Sequence, residues 1–242
     1  PACDSLILAT QNLLTKKIGF QDYQKMKKGS LMKKILYLVI ILLIFGCSSN
    51  KSQAKQSSEY KELLVKLENF DPNFSFTNLR LSYTETNDYN PLAQEANETY
   101  QELYRALKNE NYENAIHCAK AVLDENYLDI KAHSVCVKAY KKTGKDFESN
   151  YHDYVREGLL KSITSSGNGE SPQNAYKVIS LDEEAHLIQK LGYKVKKQET
   201  ISQNGSTYDK LVVYKPENKE NHKEIYINLD EIMEYLKERK VN

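Results

Sequence analysis

Apolar residues follow three different patterns along this 242-residue chain. Residues 35–45 are one unbroken apolar run of eleven, placed directly after Lys33-Lys34. Between Pro91 and Ser162 the apolar positions return every three or four residues, in blocks parted by Asn109-Glu110-Asn111, Glu125-Asn126-Tyr127 and Thr143-Gly144-Lys145. That period places Ala115, Ile116, Ala119, Val122 and Leu123 on one stripe and Ala132, Val135, Cys136, Ala139 and Tyr140 on another, so four helices are predicted. Beyond Pro172 the pattern changes again, to short stretches that alternate as strands do.

The run at 35–45 is too short to cross a bilayer core, which takes about 20 residues, but suits the apolar region of a signal peptide. It ends at Ile44-Phe45-Gly46-Cys47, which resembles a lipobox. The chemistry requires both final residues: the small Gly46 admits a signal peptidase to the bond before Cys47, and the Cys47 thiol accepts a diacylglycerol as a thioether. Two or more acyl chains then anchor stably, where one binds only marginally. Cys47 is thus the expected lipid attachment, with cleavage between Gly46 and Cys47. Residues 32–46 are the expected signal peptide, starting at Met32, and residues 1–31 an untranslated leader or mis-assigned start. Residues 47–58 read as a lipidated flexible tether, because 48–58 carry no side chain able to pack.

The exported part divides into a helical domain, 59–163, and a small α+β module, 164–242. A first helix is predicted over 59–68, with Ser58 as N-cap and Leu63, Leu64 and Leu67 on one face. An irregular segment carrying Phe74, Phe76, Leu79, Arg80 and Tyr83 follows, up to the turn Asp88-Tyr89-Asn90-Pro91. The next helices resemble tetratricopeptide repeats: Asn111-Tyr112-Glu113-Asn114-Ala115 falls at a repeat turn and its following small residue, and Tyr140 and Gly144 at the next repeat's aromatic and turn glycine. Val137 departs from the pattern, which expects a small residue there. After the loop Ser165-Ser166-Gly167-Asn168-Gly169-Glu170-Ser171-Pro172, strands are predicted over 176–179, 195–201, 208–214 and 224–228. Asn204-Gly205 is a hairpin turn. Ser180-Leu181-Asp182-Glu183 is a capping box opening a helix closed by Gly192, and Asp230 starts the last helix. The fold class is therefore α+β: tetratricopeptide-like helical hairpins, then a small antiparallel sheet with helices on one face.

Charge narrows the function. Residues 47–242 hold 27 Lys+Arg against 31 Asp+Glu, a mildly acidic balance with no footprint for a phosphate backbone, so nucleic acid is excluded as partner. His117, Cys118, His133 and Cys136 come nearest to a metal-ligand set. Because His117 and Cys118 point about 100° apart on a helix, only three ligands assemble, and no metal or cofactor is predicted. Cys118 and Cys136 lie nine residues on either side of Tyr127 and are a candidate disulfide in an oxidising compartment, although packed helix axes about 8–10 Å apart oppose it. The Ser166-Gly167-Asn168-Gly169 loop has the backbone for an anion cradle but no basic residue within it. Glu183-Glu184 reads as charge favouring a helix start. No catalytic residue is assigned. Arg80, Tyr83, His133 and His152 are the candidate polar cleft.

Leu79-Arg80 with Tyr83, Tyr89-Asn90-Pro91, Ala132-His133, His152 and Gly158-Leu159-Leu160-Lys161-Ser162-Ile163 resemble an uncharacterised lipoprotein family common in Bacteroidetes. So do Ser166-Gly167-Asn168-Gly169, Ala175-Tyr176-Lys177-Val178-Ile179 and Glu183-Glu184. That family usually has Asp where Asn168 stands, and the resemblance implies architecture and location but no activity. The expectation is a non-catalytic lipid-anchored module, held to the membrane by Cys47 and binding an envelope protein. The absence of an acidic cluster after Cys47, and Ser48 itself, point to the periplasmic face of the outer membrane. The alternative is an envelope hydrolase or small-ligand binder using Arg80, His133 and His152.

Overall fold

The computed structural model of the chain describes residues 49–92 and 98–240, with side chains at 58–92 and 98–238. The start at Met32, the signal peptide and the Gly46-Cys47 bond lie outside the described residues. No described helix is long and apolar enough to cross a membrane.

Helix α1 spans Ser49–Glu68 and so opens ten residues before the expected start. Residues 49–58 contain Lys, Gln and Ala but neither Gly nor Pro, so nothing interrupts the helix at Ser58, which lies inside it and not at its N-terminus. Leu63 and Leu67 are its buried positions. The chain then reverses through Phe70, at φ 52°, into α2, Phe76–Thr84. This second helix replaces the irregular segment expected there. Ser75 caps it by accepting a hydrogen bond from Asn78 N, and Leu79, Arg80, Ser82 and Tyr83 form its buried face.

The four predicted helices are present as α3 (Glu98–Lys108), α4 (Tyr112–Glu125), α5 (Ile130–Lys142) and α6 (Asp146–Thr164). Each packs against the next. Asn111 and Asp129 cap α4 and α5 through their side chains, and Gly144 turns the chain at φ 75°. After a 3-10 turn at Pro172–Asn174 come β1 (Tyr176–Lys177), α7 (Leu181–Lys190), β2 (Lys194–Gln203), β3 (Ser206–Lys215), β4 (Asn218–Asn228) and α8 (Asp230–Lys240).

The sheet order is β1-β4-β3-β2. β2, β3 and β4 are antiparallel neighbours, whereas β1 lies parallel to β4, with Tyr176 opposite Ile227. The sheet is therefore mixed, and this corrects the all-antiparallel expectation. Parallel neighbours need a crossover, which α7, β2 and β3 together provide. Asn204 and Gly205 both have positive φ, as the predicted hairpin turn requires. β4 begins six residues before its predicted start because residues 218–224 are exposed and polar, held by pairing with β3 without an apolar face.

Leu211, Val213, Ile225 and Ile227 form the buried face of the sheet. They join Leu63, Leu79, Leu159, Ile163, Leu187 and Ile232 in one cluster, so the core spans both sides of the boundary expected at residue 164. A second cluster lies within α3, α4, α5 and the turn residues between them, and Tyr127 packs against both.

The contact between α2 and α6 depends on Gly158, where a Cβ atom would stand 2.1 Å from the Phe76 ring. Gly158→Ala is expected to cost about 1–3 kcal/mol by overpacking, despite a helix-propensity gain of about 1 kcal/mol. Urea denaturation measures the difference, and an unchanged midpoint would refute the close approach.

Candidate functional site

Arg80 leaves α2 for the interior and is 3% exposed. Its Nε and Nη2 donate to the two carboxylate oxygens of Glu183 at 2.7 and 2.6 Å, Nη1 donates to Ser162 Oγ at 2.9 Å, and Nη2 also donates to Lys177 O at 3.1 Å. Glu183 Oε2 accepts a further bond from Ile179 N at 2.8 Å. The predicted capping box is half realised: Ser180 Oγ accepts from Glu183 N, but the Glu183 carboxylate serves Arg80 and Ile179. Tyr83, on the same helix, donates to Asp88 O, and Tyr89 donates to Ile179 O at 2.6 Å. Arg80 thus braces α2 against α6, β1 and α7, with four of its five guanidinium N–H groups partnered by the protein, and Tyr83 ties α2 to the turn that follows it.

His133 and His152 meet elsewhere, between α5 and α6. The Tyr127 carbonyl must accept, so His133 Nε2 carries a hydrogen and donates to it at 2.9 Å. His133 Nδ1 is then an acceptor, and His152 Nδ1–H donates to it at 2.9 Å. Both rings are neutral in this arrangement. Burial holds His133 down to about 3; burial, then the positive charge of Lys120, hold His152 down to about 4. His152 stands ten residues before Ser162, about 15 Å along α6, so the histidine pair and Arg80 do not converge on the expected cleft.

Cys118 and Cys136 are separate buried thiols, so the candidate disulfide is not formed. They sit on neighbouring helices, and packed helices commonly hold their axes about 8–10 Å apart, which disfavours a bridge. Burial pushes the Cys136 thiol up to about 12. Among the described residues no group of three or more His, Cys, Asp or Glu is placed to hold a metal. The glycine loop cradles no anion either: Asn168 N and Gly169 N both donate to Asn174 O. Asn168 Oδ1 accepts from Glu170 N, and Asn168 Nδ2 donates to Glu170 Oε2, a bond that only the amide can make.

One further polar constellation joins Glu184, read from the sequence as helix-start charge, to three residues that the sequence did not single out. Glu184 and Asp209, 8% and 3% exposed, face each other between α7 and β3. Gln198 Nε2 on β2 donates to Glu184 Oε1 at 3.3 Å and, over a short contact, to Asp209 Oδ2; Thr200 Oγ1 donates to Asp209 Oδ1 at 2.6 Å. Among the described residues no group donates to the buried Glu184 Oε2. Burial and the Asp209 charge push Glu184 up to about 8, so at neutral pH Glu184 keeps its proton. Above them opens a groove of about 640 Å³, lined by Glu184, Ile188 and Leu181 of α7, Tyr193, and Val195 and Gln198 of β2. The signal for Asp209 was present, since alternation puts it on the face of Leu211 and Val213.

Helices gathered on a mixed four-stranded sheet and braced by one buried ion pair define an α+β protein. The chain belongs to the family described as Domain of unknown function (DUF4919), whose model matches residues 49–238. No match was found among curated proteins or among solved structures.

Two measurements probe these sites. Arg80→Ala strands Glu183 in the interior and is expected to lower unfolding stability by about 3–5 kcal/mol; Arg80→Lys, which loses the two-pronged geometry, also destabilises. Equilibrium denaturation reads both, and a loss below about 1 kcal/mol for Arg80→Ala would contradict the brace. For the histidines, the unfolded state binds protons near pH 6.5 and the folded state only well below it, so stability is complete above 6.5 and falls as the pH drops. His133 alone is expected to account for about 2 kcal/mol lost between pH 7 and pH 5, and His133→Gln to flatten that slope. A wild-type slope unchanged by the substitution would exclude the neutral pair.

Proposed function

We propose that this is a lipid-anchored cell-envelope protein whose helical part binds another envelope protein, without a catalytic centre of its own. The carrying observation is the second apolar cluster, which lies within α3, α4, α5 and their turns and contains Ala106, Ala115, Ala119, Ala132 and Ala139. Small residues at successive contacts let helices pack closely, as in tetratricopeptide-like hairpins, and such hairpins present surfaces to partners. Supporting this, Arg80, His133 and His152 direct their hydrogen bonds to protein groups. The anchor is the diacylglyceryl thioether on Cys47, and the folded part faces the periplasm from the outer membrane.

The test is metabolic labelling with an alkyne fatty acid, detergent phase partition and in-cell crosslinking. The full chain is expected to label, to enter the detergent phase and to give a discrete higher-mass adduct. Cys47→Ala is expected to lose the label and accumulate as precursor. An unlabelled, freely soluble wild-type chain would overturn the anchor, and crosslinked samples containing monomer alone would overturn the partner.

A further inference from the structure

The groove between α7 and β2 carries an arrangement that the fold does not explain. Its walls are largely apolar, with Leu181 and Val195 39% and 45% exposed, while Glu184 lines it and the buried Asp209 stands behind Glu184. A carboxyl pair serving only as a brace would be met by a cation, as Glu183 is met by Arg80 one residue earlier. Glu184 instead is more than nine-tenths buried, lines the groove, and has an oxygen to which no described protein group donates. Gln198 gives one nitrogen to both acids, and Thr200 completes Asp209 alone.

We propose that this groove binds a primary alkylammonium group, its apolar stem along Leu181, Ile188 and Val195 and its nitrogen donating to Glu184 Oε2 beside Asp209. The ammonium takes the place of the Glu184 proton. Its N–H groups supply the missing donor, and its charge balances the second carboxylate, which the interior otherwise disfavours. The same chemistry is offered by a free alkylamine and by a lysine side chain of another protein.

Charge balance makes the proposal specific. At pH 7 Glu184 of the empty groove holds one proton; a ligand arriving as R–NH3+ retains its own three, so that proton leaves Glu184 for solvent. Affinity is therefore expected to rise about tenfold per pH unit from 6 to near 8, where Glu184 titrates, and then to level off. Of the charged groups around Glu184, Asp209 faces it from β3, Lys194 stands among the groove-lining residues, Lys215 of β3 donates to Leu191 O and lies over the Tyr193 ring, Lys197 and Glu199 of β2 pair with each other, and Glu183 of α7 is turned to Arg80.

The experiment is calorimetric titration of the full chain in detergent with n-hexylamine and with Nα-acetyl-lysine methylamide, in buffers of different ionisation enthalpy, and with n-hexanol as the uncharged control. The expected result is binding of at least one amine with release of about one proton at pH 7, the pH slope above, and a loss of tenfold or more in Glu184→Gln. Binding of hexylamine alone identifies a free amine as ligand; binding of the lysine derivative alone identifies a protein side chain; binding of both supports the shared chemistry. Should Glu184→Gln fail to fold, the wild-type proton release and pH slope decide. The proposal is overturned if neither amine binds at about 10 mM and pH 8.5, if hexanol binds as well as hexylamine, or if binding releases no proton.

Discussion

Placing a guanidinium and a carboxylate together in a protein interior forfeits several kcal/mol of hydration for each, and attraction restores this only when geometry and hydrogen bonding are nearly complete. Arg80 and Glu183 reach that condition by drawing in neighbours from four parts of the chain: α2 supplies the cation, α7 the anion, α6 the Ser162 hydroxyl, and the segment from β1 to α7 the Lys177 carbonyl and Ile179 amide. An apolar pair of similar volume would stabilise as much, but would not fix direction. The ion pair does, because both backbone partners lie in the link that leaves β1 and enters the crossover. The parallel placement of β1 on β4 therefore depends on it. Glu184, the next residue, projects about 100° away around α7 and meets the sheet instead. One acidic dipeptide thus faces two environments, one with a cation and one without.

Much of this architecture was legible in the sequence, and the parts that were not have a common cause. Helices α3, α4, α5 and α6 each bury one stripe, so their period is plain, and Asn204-Gly205 declares its turn through a backbone conformation that few other residues adopt. α2 was hidden because its buried face contains Arg80 and Ser82 among the apolar positions, which breaks the stripe. The first part of β4 was hidden because both its faces meet solvent, leaving cross-strand pairing as its only signature. The candidate sites show the same division. His133 and His152 were both singled out and do touch, whereas the Glu184, Asp209, Gln198 and Thr200 group needed the register of β2 on β3, which no local pattern encodes. Arg80 was recognised as unusual, but its partner was read as a helix-start charge.

Tyr127 shows how the two apolar clusters are joined. Its ring packs against both, its hydroxyl shares a hydrogen bond with Tyr151 at 2.7 Å, and its carbonyl accepts from His133. A single turn residue between α4 and α5 thereby connects the close-packed helices to the sheet-bearing core through three kinds of contact. Helices α3, α4 and α5 are joined to the sheet-bearing core at this seam, even though most of their apolar residues pack only among themselves.

The sheet ends at β2, whose outer edge carries backbone groups open to pairing with another strand. Lys194, Lys196 and Lys197 cluster at one end of that strand, and the ladder is interrupted between Val195 and Lys197 by an extra residue. Two copies approaching edge to edge would set like charges against each other and meet a bent, out-of-step row of hydrogen-bonding groups. The same irregular stretch that turns Val195 toward the groove therefore also discourages the sheet from growing into a fibre, so that colloidal behaviour and the shape of a binding surface are set by one short piece of chain.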